Sequence, residues 1–243
     1  MTHSQIQDII RHGQRIVFFG GAGTSTESNI PDFRSATGLY QDHQSFEYPP
    51  EVMLSHSFFK KQPASFYQFY ISKMIYPNAR PNPAHHALAE LERRGQLTAV
   101  ITQNIDGLHQ MAGSQHVLEL HGSVHRNHCI TCGQSYDLPY VLRTSDPIPH
   151  CEQCNGIVKP DVVLYEEMLD EAVLQAAIDH IAKADVLIVG GTSLRVNPAA
   201  SLIRYYRGEH LVLINKEATP YDSLAHVVIH DLVGKVLQDA LHA

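Results

Sequence analysis

All four cysteines of this 243-residue chain, Cys129, Cys132, Cys151 and Cys154, fall in one short stretch as C-x2-C, 18 intervening residues (133 to 150), then C-x2-C. This is the spacing of two knuckles that converge on one tetrahedral Zn²⁺. Two disulfides are the alternative, and a reducing compartment disfavours them. Four thiolates leave a zinc ion no open position, so the expected metal is structural rather than catalytic. The segment between the pairs carries Gly133, Asp137, Pro139, Pro147 and Pro149, which predicts a small, loop-rich module with little core of its own, stabilised by the ion on the order of 10 kcal/mol.

A second stretch with chemical potential is GAGTSTESNIPDFRS, Gly21 to Ser35, directly after the apolar run Ile16-Val17-Phe18-Phe19. A short β-branched and aromatic run that ends in glycines reads as a parallel strand entering a loop. Glycines there let backbone N–H groups approach a phosphate, as in dinucleotide-binding folds. The spacing Gly21-Ala22-Gly23 is not the usual G-x-G-x-x-G, so taken alone it leaves the ligand open. Pro31-Asp32-Phe33-Arg34 adds a carboxylate, an aromatic face and a guanidinium a few residues on, suited to covering a ligand.

Positioning such groups requires a repeated element, and the chain supplies one. Apolar runs ending in polar or small residues recur at Ala99 to Ile101 before Thr102-Gln103-Asn104-Ile105-Asp106-Gly107, and at His116 to Leu120 before His121-Gly122. They recur again at Asp185 to Val189 before Gly190-Gly191-Thr192-Ser193, at Leu211 to Ile214 before Asn215-Lys216, and at His226 to Ile229 before His230-Asp231. Helical stretches such as Pro83 to Arg94 and Leu169 to Lys183 separate them, as parallel strands require. The expected fold class is α/β: a Rossmann-like parallel sheet, its polar strand ends along one cleft, with a smaller helical plus zinc-binding domain. The boundaries expected are 1–35, 77–122 and 160–243 for the Rossmann-like domain. The aromatic insert 36–76 and the zinc module 123–159 form the small domain.

A net charge of -7 and 18% charged residues argue against a protein that lives on nucleic acid, which normally shows a basic face. The N-terminus MTHSQIQDII lacks a signal-peptide layout and no apolar run reaches membrane-spanning length, so no membrane association and a cytoplasmic location are expected.

The motifs GAGTSTESNIPDFRS, TQNIDGLH (Thr102 to His109), LHGS (Leu120 to Ser123), the paired cysteine knuckles, KPDVVLYEE (Lys159 to Glu167), GTSL (Gly191 to Leu194) and Asn215 occur in an order and spacing that resembles the sirtuin family. Sirtuins are NAD-dependent protein lysine deacylases, and the resemblance covers nearly the whole chain. It implies NAD as cosubstrate, structural Zn²⁺, and acyl-lysine proteins as substrates. The products would be nicotinamide, the deacylated lysine and O-acyl-ADP-ribose.

Departure of nicotinamide creates an oxocarbenium-like ribose carbon, beneath which the acyl-lysine carbonyl must wait; a base must then activate a ribose hydroxyl. His121 matches the family's catalytic histidine, although most of the 17 histidines would be surface residues on spacing alone. Asn104 and Asp106 match positions that orient water and the nicotinamide riboside, with Ile105 in apolar contact; as bare sequence they are also ordinary turn chemistry. Phe33 would shield the reacting ribose, where an unplaced Phe is otherwise core, and Arg34 and Asp32 would organise the loop and the diphosphate end. Gly21, Ala22, Gly23 and Thr26 resemble loop contacts to NAD, and Gln103 a ribose contact. Gly191, Thr192, Ser193, Asn215 and Asp231 resemble contacts on the diphosphate and adenosine side. The substrate would add a strand between Val163-Leu164-Tyr165 and Arg195-Val196-Asn197, its acyl-lysine in a tunnel lined by Phe33, His121 and Val163.

Three positions depart from the family's pattern: Thr24 for an apolar residue, Asn29 for glycine, and Glu166 for the glycine of an F-G-E segment, the last bearing on peptide affinity. Family members that prefer succinyl- or malonyl-lysine carry Tyr-x-x-Arg where this chain has Tyr67-Gln68-Phe69-Tyr70, which implies preference for uncharged acyl groups. Phe66, Tyr67 and Tyr70 also have the spacing of plain helix packing. Protein mono-ADP-ribosyl transfer, a non-catalytic zinc-ribbon binding module and a hydride-transfer dehydrogenase are the competing readings.

Overall fold

The structure, a computed structural model, describes residues 2–33, 38, 47–143 and 146–242. Among them the strands are β1 (Ile16–Gly20), β2 (Leu97–Thr102), β3 (Val117–Glu119), β4 (Gly122–Cys129), β5 (Ser135–Asp137), β6 (Val158–Val162), β7 (Val186–Gly190), β8 (His210–Ile214) and β9 (Val227–Ile229). The helices are α1 (Thr2–His12), α2 (Pro50–Met53), α3 (His56–Lys61), α4 (Pro63–Met74), α5 (Pro83–Arg93), α6 (Leu108–Ala112), α7 (Leu138–Arg143), α8 (Glu171–Lys183) and α9 (Val233–His242). Six strands form one all-parallel sheet in the order β3-β2-β1-β7-β8-β9. These are the six apolar runs with polar ends.

Burial on both faces explains their continuous apolar character. Ile16, Phe18, Ile188 and Val212 pack with α1, α5 and α9, whereas Val17, Phe19, Leu187 and Leu213 pack with α8 and the 3₁₀ turn Ala199–Tyr205. Helix α8 begins two residues later than its sequence pattern suggests because the Asp170 side chain caps it, accepting from Val173 N–H at 2.9 Å.

A second, antiparallel sheet has the order β5-β4-β6. The zinc-module expectation of loops did not foresee these strands, which alternate only weakly in polarity. β4 and β6 also run past the limits 123 and 159. One apolar cluster joins this sheet to the aromatic helices, with Val124, Val141 and Val158 packed among Phe59, Phe66, Tyr67 and Tyr70. The small module's shortage of core is met by sharing one.

Two buried histidines lie under β1. The backbone N–H of Asn82 donates to His85 Nδ1 at 3.1 Å, completing a capping box on α5, so His85 must be neutral there. The His109 ring lies 4.7 Å from it, and His109 Nδ1 and Nε2 and His85 Nε2 have no hydrogen-bond partner among the described residues. Burial pulls the His85 pKa down to about 4, with His86 adding to the effect, and burial and then His85 hold that of His109 well below its ordinary value. The unfolded chain takes up these protons near pH 6.5 while the folded one resists, so the stability is fully present above about 6.5 and is lost as pH falls toward 4. His85 alone is expected to remove on the order of 2 kcal/mol between pH 7 and pH 5. Urea unfolding at both pH values checks this: His85→Gln, which keeps an acceptor for Asn82, should show the smaller loss, and an unchanged loss would refute it.

Candidate functional site

The strand order reverses between β1 and β7, since β2 and β3 follow β1 on one side and β8 and β9 follow β7 on the other. At such a switch point the loops leaving the strands diverge and open a crevice. A cavity of about 1010 Å³ occupies it. Gly21, Ala22, Gly23, Thr26, Asp32 and Phe33 line it from the loop after β1; Gln103, Asn104, Ile105 and Asp106 from the loop after β2; and His121 from beyond β3. Gly191, Thr192, Ser193 and Val196 line it after β7, Asn215 after β8, Asp231 after β9, and Val163 and Tyr165 after β6. Arg34 lies outside the described residues.

His121 is oriented by the neighbouring loop. Its Nδ1 is 2.9 Å from the Gln103 carbonyl oxygen. A carbonyl only accepts, so Nδ1 carries the proton and the neutral ring keeps a lone pair on Nε2. Burial lowers the His121 pKa, partly opposed by that hydrogen bond, so the ring is an unprotonated base at neutral pH. Gly122 follows with φ 76°, and a Cβ there would stand 1.7 Å from the Asp161 carbonyl oxygen. Only glycine lets β4 turn against β6 directly behind His121.

Ser25, absent from the sequence expectations, joins two of the expected residues. It donates to Asp106 Oδ2 at 2.7 Å and accepts from Asn104 Nδ2 at 3.0 Å. Its signal was available as the hydroxyl residue that follows the glycine loop. Asp106 Oδ1 accepts from Leu108 N–H at 2.9 Å, and desolvation raises the Asp106 pKa against these bonds. His125 also holds this loop, through Nε2 to the Asp106 carbonyl at 3.0 Å. Gln103 Nε2 donates to Thr192 Oγ1 at 3.0 Å and so ties the end of β2 to that of β7.

The glycine loop works differently from the sequence expectation. Gly21 and Gly23 donate their N–H groups to the carbonyls of Gly190 and Gly191, at 3.2 and 2.8 Å, rather than presenting them to a phosphate. What needs glycine is proximity: a Cβ on Gly23 would lie 2.7 Å from Gly191 Cα. Thr24 is accommodated because its hydroxyl donates to the Gly190 carbonyl at 3.3 Å. Asn29 takes the left-handed conformation, φ 62°, which asparagine tolerates.

The segment expected to bind peptide is tied to its neighbours through its backbone. Val163 N–H bonds to the His121 carbonyl, Tyr165 N–H to the Leu54 carbonyl, Tyr165 C=O to His56 N–H, and Leu164 to Glu167 through both its N–H and its C=O. Glu166 adopts φ 75°, the conformation glycine favours, and its carboxylate accepts from Ser57 N–H at 2.9 Å and Ser57 Oγ at 2.6 Å. Those bonds offset the backbone strain and hold its pKa down.

The four cysteine sulfurs lie within 4.8 Å of one another, none in a disulfide. Cys129 and Cys154 Sγ are 3.4 Å apart, Cys132 and Cys151 Sγ 3.6 Å. Zinc–sulfur bonds of about 2.3 Å in a tetrahedron put sulfurs about 3.8 Å apart, against about 2.05 Å in a disulfide. Thr131 and Gln153 N–H groups point at Cys129 and Cys151 Sγ, each at 3.4 Å, as knuckle amides do toward bound thiolates. The residues fit structural zinc.

Comparisons with known proteins agree with this geometry. The profile of the Sir2 family matches residues 21–198. An NAD-dependent protein deacetylase of Clostridium acetobutylicum is 58% identical over 98% of this chain and 97% of its own length, and one of Clostridium perfringens is 59% identical over 96% of each. Among solved structures, a Sir2 complex with a deacetylated p53 peptide and 3'-O-acetyl ADP-ribose superposes with TM-score 0.90 at 36% identity, covering 99% of this chain and 98% of that one. A Sir2–p53 peptide–NAD⁺ complex gives 0.87 at 36% identity with the same coverage. The family match, the shared fold and 58–59% identity over nearly the full length place the chain in the Sir2 family.

Proposed function

We infer that the protein is an NAD-dependent protein lysine deacetylase that yields nicotinamide, the deacylated lysine and O-acyl-ADP-ribose. The observation that carries this is His121, a buried imidazole on the cleft whose Nδ1 proton is fixed on the Gln103 carbonyl. NAD supplies an electrophilic ribose carbon when nicotinamide leaves. His121 Nε2 takes the proton of a ribose hydroxyl. Asn104 and Asp106, cross-braced by Ser25, orient the water and nicotinamide riboside, while Ile105 and Phe33 supply the apolar walls that exclude other water. Ala22, Thr26, Asp32, Gln103, Thr192, Ser193, Asn215 and Asp231 hold the rest of the dinucleotide. Val163, Tyr165 and Val196 flank the acyl-lysine peptide. All of these residues fall in a Rossmann-like domain, composed of 1–35, 77–122 and 160–243, against which a small domain, composed of 36–76 and 123–159, is set apart.

The zinc module is poorly suited to binding nucleic acid. Its fixed cations are paired, Arg126 with Glu119 at 2.7 Å, Arg143 with Glu152 at 3.9 Å and Lys159 with Glu167 at 3.2 Å, which leaves a poor phosphate-binding set. Among the described residues no helix is long and apolar enough to cross a membrane, and the cytoplasm is the proposed compartment. Mass spectrometry of an acetyl-lysine peptide incubated with and without NAD tests the assignment. Free lysine with acyl-ADP-ribose supports it; ADP-ribose added to protein, or no reaction, refutes it.

Acyl preference follows from α4. Tyr67 donates its hydroxyl to the Val158 carbonyl, so its polar tip is already engaged. Tyr70, stacked on Phe66 with centroids 5.6 Å apart, lines the cavity with a buried hydroxyl that has no hydrogen-bond partner among the described residues, and burial raises its pKa so that it stays neutral. Neither offers the guanidinium an acidic acyl group needs on desolvation. Succinyl-lysine is expected to react at least about tenfold less efficiently than acetyl-lysine in the same peptide. Tyr70→Arg should narrow the gap and Tyr70→Phe should not. Equal kcat/KM for the two acyl groups in the unmodified protein would refute this.

A further inference from the structure

The zinc site has a hydroxyl partner that the cysteine pattern does not reveal. Tyr136, on β5, donates its phenolic O–H to Cys151 Sγ at 3.1 Å. The same oxygen accepts from Glu152 N–H at 2.9 Å, so the amide fills an acceptor position and the phenol proton is directed to sulfur. A zinc-bound thiolate has no proton to give, which fixes the direction of this bond. Tyr136 is in turn held from two sides: β5 pairs Tyr136 with Asn127 of β4, two residues before the ligand Cys129, and its ring packs on Tyr140 with centroids 4.2 Å apart. The hydroxyl thereby links the strand that carries the first knuckle to the sulfur of the second.

We propose that Tyr136 is a positioning residue of the zinc site, its hydroxyl holding the Cys151 thiolate in place for the metal and drawing charge from it. Partners of this kind around metal ligands commonly change metal affinity by about 10- to 100-fold. Tyr140 is the matched control. It has the same ring in the same stack, but its hydroxyl donates to the His150 carbonyl at 2.5 Å and reaches no sulfur.

The inference rests on the zinc assignment, and one set of experiments separates the two. Full-length wild type, Tyr136→Phe and Tyr140→Phe, each loaded with zinc, are titrated with a chromogenic chelator; the three are also loaded with cobalt(II) and their thiolate-to-cobalt charge-transfer absorption recorded. Tyr136→Phe is expected to lose metal at least about tenfold more readily, with the charge-transfer band shifted to longer wavelength, because a thiolate relieved of a hydrogen bond is easier to oxidise. Tyr140→Phe should retain both wild-type properties. The band is read from bound metal alone, so a partly unfolded variant does not imitate the shift. Failure of the wild type to bind metal overturns the zinc assignment itself. Equal affinity and an unmoved band in Tyr136→Phe, or equal changes in both variants, overturns the role of Tyr136 while leaving zinc in place.

Discussion

Replacing His121 with alanine is expected to lower deacetylation about a thousandfold, within the range a positioned general base contributes, while leaving the fold intact. The imidazole lines the cavity and its ring makes one backbone hydrogen bond, so truncation removes little packing. Nicotinamide exchange, which precedes the base's step, should fall less than deacetylation. The pH profile supplies a second check with a definite sign. His121 acts unprotonated, and burial lowers its pKa, so the acid limb of kcat/KM is expected below the ordinary imidazole value of about 6.5. Wild-type rates in the alanine variant would remove His121 from the mechanism, and an acid limb above about 6.5 would show that its environment is not the dry one described.

Withdrawal of zinc should have the next largest effect, through structure rather than bond making. Four thiolates are brought together by two knuckles, and a bound ion contributes on the order of 10 kcal/mol, comparable with the whole stability of a typical domain at about 5–15 kcal/mol. Because Val124, Val141 and Val158 share their core with α3 and α4, and Phe33 and Ile105 pack against the same cluster, loss of the module loosens one wall of the cleft. The chain has no tryptophan and 11 tyrosines, and Tyr67, Tyr70, Tyr136 and Tyr140 belong to or pack on this cluster. Stripping zinc, or Cys151→Ser, should therefore collapse the near-ultraviolet tyrosine signal and the activity together, while the parallel sheet preserves most of the far-ultraviolet signal. Metal-free protein that keeps its tyrosine signal and its rate would refute a structural zinc.

Features that depend on local spacing were legible in the amino-acid order. Uninterrupted apolar runs such as Val186 to Val189 mark strands buried on both faces, glycines and polar residues at their ends mark the cleft edge, and C-x2-C pairs mark the metal. The family motifs then named the cleft's residues, since those motifs are contiguous. Features that depend on partners far along the chain emerged only from the folded arrangement. Ser25 braces Asn104 and Asp106 from about 80 positions away, and the Gln103 carbonyl chooses the tautomer of His121. Gly21 and Gly23 bond to β7 and the residue after it instead of to a phosphate, Glu166 stands in a glycine conformation because Ser57 holds its carboxylate, and Tyr136 reaches a sulfur on the other knuckle. Residue spacing encodes which groups share a face of one element. It does not encode which element lies beside it, and a hydrogen bond acting over about 3 Å is settled only when strand order and packing bring its two ends together.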